Sequence, residues 1–170
     1  GSDFKVTWKT YPPGDETYFG EARLRDKTLL LNKGLTAADN GKMAENGNTN
    51  RLALNTVAHE VNHLINDDRV ADTFEYFEAE YRAWYVGFQS EHGRVPTNQE
   101  AIDQRIRWQF DPDSFYGKHA AEAMKDPAEA RKFYDFLGRI TGNTVDAGNW
   151  RAVLDSDPVS WPNLSESPAP

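Results

Sequence analysis

A chain of 170 residues with 27 acidic and 19 basic side chains, formal charge −8, offers no basic tract for nucleic acid. Without cysteine it can form neither a disulfide nor a thiolate metal site, so any metal must be held by His and carboxylate. No apolar run approaches the roughly 20 residues that a membrane span requires.

The length fits a single domain, read as residues 3–170, and the 38% hydrophobic and 12% aromatic content can fill its core. Gly1-Ser2 reads as a cloning remnant, and the chain then starts directly in a strand-like segment, as in a domain cut from a longer protein. Phe4, Val6 and Trp8 alternate with polar residues, the period of a half-buried strand, which Pro12-Pro13-Gly14 ends. Tyr18 to Arg25, joined through Asp26-Lys27 to Thr28–Asn32, reads as a hairpin. The segment from Asn32 to Asn50 is rich in Asn, Gly and Ala and reads as loop, with one short helix capped by Thr36 and Asp39.

A helix is expected from about Asn50 to Asn66, capped by Thr49 or Asn50. Within it stands His59-Glu60-Val61-Asn62-His63, two imidazoles one turn apart with a carboxylate beside the first. At about 100° per residue Leu54, Val57, Val61, Leu64 and Ile65 share one side, which must face the core. His59 and His63 lie nearly opposite, and Glu60 sits about 60° to 80° around from them, within reach of the same space. An ordinary exposed face carrying two histidines is the alternative.

The next helix, about Asp72 to Glu91, carries Phe74, Phe77, Tyr81, Trp84 and Phe88 at core spacing and stops at His92-Gly93. Thr97 and Glu100 form a capping box for a third helix to about Phe110, with Ile102, Ile106 and Phe110 inward. A short helix through Ala120 to Met124 is expected, then one opened by Asp126-Pro127 and closed by Gly142-Asn143, with Phe133, Phe136, Leu137 and Ile140 inward. The last helix runs from about Ala147 to Leu154, and residues 156–170 read as an extended tail in which Trp161 docks.

His59-Glu60-x-x-His63 with an acidic helix shortly after it resembles the zincin metallopeptidases. The resemblance covers about residues 50 to 88 and implies an α+β fold: mainly helical, with a small N-terminal antiparallel sheet beside the motif helix. It also implies Zn²⁺ held by His59 and His63, with Glu60 as the general base of an endopeptidase acting through a metal-bound water. The metzincin continuation fails, because Asn66 and Arg69 stand where Gly and His would be. A gluzincin-like third ligand from the second helix is then implied. Glu80 lies about 60° from the centre of the aromatic stripe, nearer than Glu78. The alternatives for Glu80 are a surface carboxylate paired with Arg82 or Arg105, and for the third ligand Glu78, Asp67, Asp68 or Asp72. The family also uses a residue that stabilises the oxyanion, for which His119, Tyr116, Tyr134 (with Arg131) and His92 are candidates by type. The strand Thr28–Asn32 is expected to pair with extended substrate as an edge strand.

A general likeness to toxin-associated metallopeptidase modules implies a secreted bacterial effector or toxin domain with a polypeptide substrate and a cognate immunity or regulatory protein. Two other classes stay open: a non-catalytic interaction domain with an incidental or structural metal, and a zinc amidase acting on a non-protein amide.

Overall fold

The computed structural model describes residues 4–12, 20–33, 49–66 and 70–156, with side chains of the motif helix described from residue 53. The expected Thr36 and Asp39 helix, the cap at Thr49 or Asn50, Tyr18, Asp67, Asp68, Arg69 and the tail with Trp161 lie outside that description. The fold is α+β and mainly helical. Two compact units are distinguished, Gly1–Asp67 with Arg82–Val95, and Asp68–Tyr81 with Pro96–Pro170.

The first unit holds the sheet. Strands β2 (Gly20–Arg23) and β3 (Thr28–Asn32) form the expected antiparallel hairpin, with Ala22 opposite Leu29. Its connection is a 3-10 turn, Leu24–Asp26, closed by Lys27 at φ 48°. Strand β1 (Lys5–Lys9) runs parallel to β3, so the sheet has the order β1-β3-β2 and is mixed; the antiparallel expectation holds for β2 and β3 only. The run Thr28-Leu29-Leu30-Leu31-Asn32 is buried at every position, as a central strand covered on both faces must be. β1 departs from its expected half-burial: Phe4, Val6 and Trp8 are 38%, 53% and 45% exposed, so period two marks the strand and not a covered face.

Helix α1 (Thr49–Ile65) lays Val57, Val61 and Leu64 against Leu29, Leu31, Ala22 and Leu24. At about 25 cal/mol per Å² of apolar surface, burying Leu29, Leu31 and Leu64 contributes about 1.5–3 kcal/mol each. Leu54 and Ile65, expected on this face, are 55% and 63% exposed, because they lie about 50° to 70° round from the centre of the Val57-Val61-Leu64 stripe.

Helix α2 (Phe74–His92) begins in the second unit and ends in the first, closed by Gly93 at φ 68°. In the second unit its Phe74 and Phe77 rings meet Phe133 and Phe136 with centroids 5.0–6.0 Å apart, and Phe77 meets Phe110 at 4.9 Å. The rest of that unit comprises α3 (Asn98–Ala101), a π turn (Ile102–Ile106), α4 (Arg107–Phe110), α5 (Phe115–Ala123), α6 (Pro127–Thr141) and α7 (Trp150–Asp155). The Thr97–Glu100 capping box forms, as does the Asp126-Pro127 start of α6, where the Asp126 carboxylate accepts the Ala128 and Glu129 amides. Gly142 at φ 71° closes α6. α5 starts earlier than expected because Ser114 caps it by accepting from the Gly117 amide.

Candidate metal centre

The side of α1 away from the sheet carries Asn55, His59 and His63, each one turn from the next. At Asn55 it meets the C-terminal half of α2. A Cβ at Gly87 would stand 2.5 Å from Asn55 Oδ1 and 3.1 Å from the Asn55 carbonyl, and Asn55 Nδ2 donates to Glu91 Oε2 at 2.6 Å. Gly87 therefore lets the two helices approach closely, and any larger residue would have to displace Asn55. Seven residues before Gly87, two turns back on the same face of the same helix, stands Glu80.

His59, His63 and Glu80 form a group whose ligand atoms all lie within 4.8 Å of one another. The two Nε2 atoms are 3.2 Å apart, with rings nearly perpendicular at 83°. An N···N contact this short suits either one ring donating to the other or both nitrogens turned to a shared cation. The separation also matches a tetrahedral zinc, where bonds of about 2.0–2.1 Å put ligand atoms about 3.3 Å apart. The carboxylate is the ligand that must close in. His63 and Glu80 are 3% and 2% exposed, whereas the His59 side chain keeps 18%, so His59 marks the open side. The donor set fits zinc: two imidazoles and one carboxylate, leaving a position for water.

Glu60 is not in the group. Its Oε2 accepts the Ala22 amide of β2 at 2.7 Å, which leaves Oε1 4.0 Å from His59 Nε2. A backbone donor thus fixes the carboxylate with one oxygen turned toward the imidazoles. β3 pairs on both sides and so is not the expected edge strand; among the described strands β1 and β2 flank it, and it is the Ala22 amide of β2 that holds Glu60.

Glu80 is not the surface carboxylate that was the alternative reading. It is buried with Arg105, whose Nη2 stands 3.2 Å from both Glu80 Oε2 and the Glu80 carbonyl. Burial pushes the Arg105 guanidinium below its ordinary pKa, and the Glu80 carboxylate opposes that shift. Burial, reinforced by Glu80, raises the Tyr116 phenol well above its usual range, so Tyr116 is a neutral donor beside that carboxylate. His119 turns to Asp72 instead, Nδ1 to Oδ1 2.8 Å, and lies against Tyr76 with ring centroids 5.3 Å apart. Asp72 is therefore engaged by His119, and neither it nor Glu78 joins the ligand group among the described residues. Tyr134 is half-buried on α6, with no hydrogen bond to these groups among the described residues, and His92 packs on Phe88 three turns along α2 from Glu80.

Arg105 was foreseen only as a partner that would make Glu80 ordinary; Gln109, Gly87 and the Ala22 amide were not foreseen. Arg105 and Gln109 each directly precede an inward residue, Ile106 and Phe110, and that adjacency is the one trace they leave in the sequence. No family model, curated protein or solved structure matches the chain.

Proposed function

We propose that the chain is a zinc-dependent endopeptidase with His59, His63 and Glu80 as ligands and Glu60 as general base. The observation that carries this reading is the convergence of two imidazole nitrogens 3.2 Å apart with a buried carboxylate, beside a second carboxylate anchored by a backbone amide. Zinc, when bound, supplies a Lewis acid that polarises the scissile carbonyl and acidifies water enough for a carboxylate to deprotonate it. Glu60 takes the proton through Oε1 as the water oxygen bonds to the carbonyl carbon, and delivers it to the leaving amine as the C–N bond breaks. The Ala22 amide keeps the carboxylate from turning away between the two transfers.

Purified protein should carry one zinc per chain, lost on His59→Ala or His63→Ala. Glu60→Gln should keep the metal and lose about 10²-fold or more in peptide hydrolysis. Elemental analysis and a peptide-library assay check both. A folded protein that takes up no zinc ends this reading.

A non-catalytic module is the second reading, favoured by the Glu80–Arg105 pair, which accounts for a buried Glu80 without any metal. It expects no stoichiometric zinc and no effect of Glu60→Gln beyond a change in stability.

A further inference from the structure

We infer that the open edge of β1 is a docking site for an extended strand of another polypeptide, one in which apolar residues alternate with acidic ones. β1 and the elements that position it lie within the first unit. The Lys5 amide donates to the Lys27 carbonyl at 2.9 Å, so Lys5, Thr7 and Lys9 turn their backbone groups toward β3. Successive residues of a strand turn these groups to opposite sides. The N–H and C=O of Val6 and Trp8 therefore point the other way, to an edge beyond which no described strand follows. At the opposite edge the Ala22 amide of β2 is taken by the Glu60 carboxylate at 2.7 Å. Val6 and Trp8 have no such acceptor among the described residues.

The side chains point to the same edge. Val6 and Trp8 stand in register with Leu29 and Leu31, hence on the face that α1 covers. Yet Val57, Val61 and Leu64 lie against Leu29, Leu31, Ala22 and Leu24, and Phe4, Val6 and Trp8 stay exposed as one row. A strand added beside β1 sets its own apolar residues along that row. Lys5 and Lys9 occupy the other face. Neither makes an ion pair among the described residues; Lys9 lies over the Tyr11 ring, 4.6 Å from its centre. Residues 4–12 and 20–33 carry six basic side chains against two acidic ones, in a chain of net charge −8. Lysine on an edge strand guards against pairing with copies of itself. Any pairing of two β1 strands that keeps their apolar residues on one face gathers their lysines on the other, and that opposes it. An acidic strand meets the same lysines as partners, and its main chain gains the Val6 and Trp8 hydrogen bonds whatever its side chains. β1 lies two strand spacings, about 9–10 Å, from the strand that holds Glu60, so this surface stands whatever the histidines bind.

The test adds a capped peptide of about seven residues, Glu alternating with Val, to the full chain labelled with ¹⁵N. A peptide with Lys in place of Glu, and one of the acidic composition without alternation, are the controls. The acidic peptide should shift the Val6 and Trp8 amide resonances and slow their exchange with solvent, and both controls should bind at least about tenfold more weakly. Lys5→Glu combined with Lys9→Glu, both on the surface and harmless to folding, should reverse the preference between the acidic and basic peptides. Val6→Pro removes the outward N–H without touching a bond to β3, and should weaken the acidic peptide by about tenfold or more. An acidic peptide that does not bind at about 1 mM, binds no better than the basic one, or binds without protecting Val6 and Trp8 overturns the inference. An unchanged preference in the lysine variant does the same. So does protection of Val6 and Trp8 that grows with protein concentration alone, since a second copy is then the occupant. Where Val6→Pro fails to fold, the lysine variant decides.

Discussion

Two carboxylates two residues apart on α2 have opposite environments. Glu80 is buried beside Arg105, and Glu78 is half-buried outside the ligand group. Glu80→Ala should abolish zinc binding and, by leaving the Arg105 guanidinium uncompensated, cost on the order of 3–5 kcal/mol in denaturant unfolding. Glu80→Gln, which keeps an oxygen for Arg105, should restore much of that stability and little of the zinc affinity. Glu78→Ala should titrate with zinc nearly as the unaltered chain does, and a loss there would mean the wrong carboxylate has been identified. The inward tilt of Glu80 was legible from the helical period, since 100° per residue sets its angle to the aromatic stripe. Arg105 was legible only as one of two partners, with Arg82, for a surface carboxylate; the burial of the pair was not, because Arg105 stands 25 residues later on a turn whose period differs from the one used to read it.

Helices declared themselves where stripes and end signals agreed. Phe133, Phe136, Leu137 and Ile140 between the Asp126 cap and Gly142 bound α6 closely. The hairpin of β2 and β3 declared itself, but the pairing of β1 did not, because alternation carries no information about direction or partner. The contact of α1 with α2 hangs on Gly87, invisible in a stripe analysis because it contributes no side chain. Gly87→Ala should destabilise the chain by about 1–3 kcal/mol and weaken zinc binding together, as the helices part at Asn55. Denaturant melts with a zinc titration check it, and unchanged affinity in a destabilised variant would separate that contact from the site. Between α2 and α6, the Lys132 ammonium hydrogen-bonds Glu75 at 2.8 Å and holds its carboxyl below the usual carboxylate range. A depressed native pKa makes a contribution present above the unfolded value and lost as pH falls through the folded one. Lys132→Met should bring the Glu75 titration midpoint, followed by NMR, up toward that of a free Glu.

For the whole molecule, a ligand that binds only the folded state adds stability by mass action, about 2.7 kcal/mol at a free concentration a hundred times its Kd. Zinc at that level should raise the melting temperature by roughly 5–10 °C in a chain of this size, reversibly on chelation. His63→Ala should melt at the same temperature with and without it. The two units are interleaved in sequence, with the chain leaving the first at Asp67, re-entering at Arg82 and leaving again after Val95. During synthesis, then, the first unit has all its residues once Val95 is made, when the three candidate ligands exist and Arg105 does not. N-terminal units generally fold first as a chain emerges, at about 5–20 residues per second. Glu80 is thus made before its guanidinium by a second or more, an interval in which a nascent chain holds two imidazoles and a carboxylate without the Arg105 side chain that pairs with Glu80 in the fold.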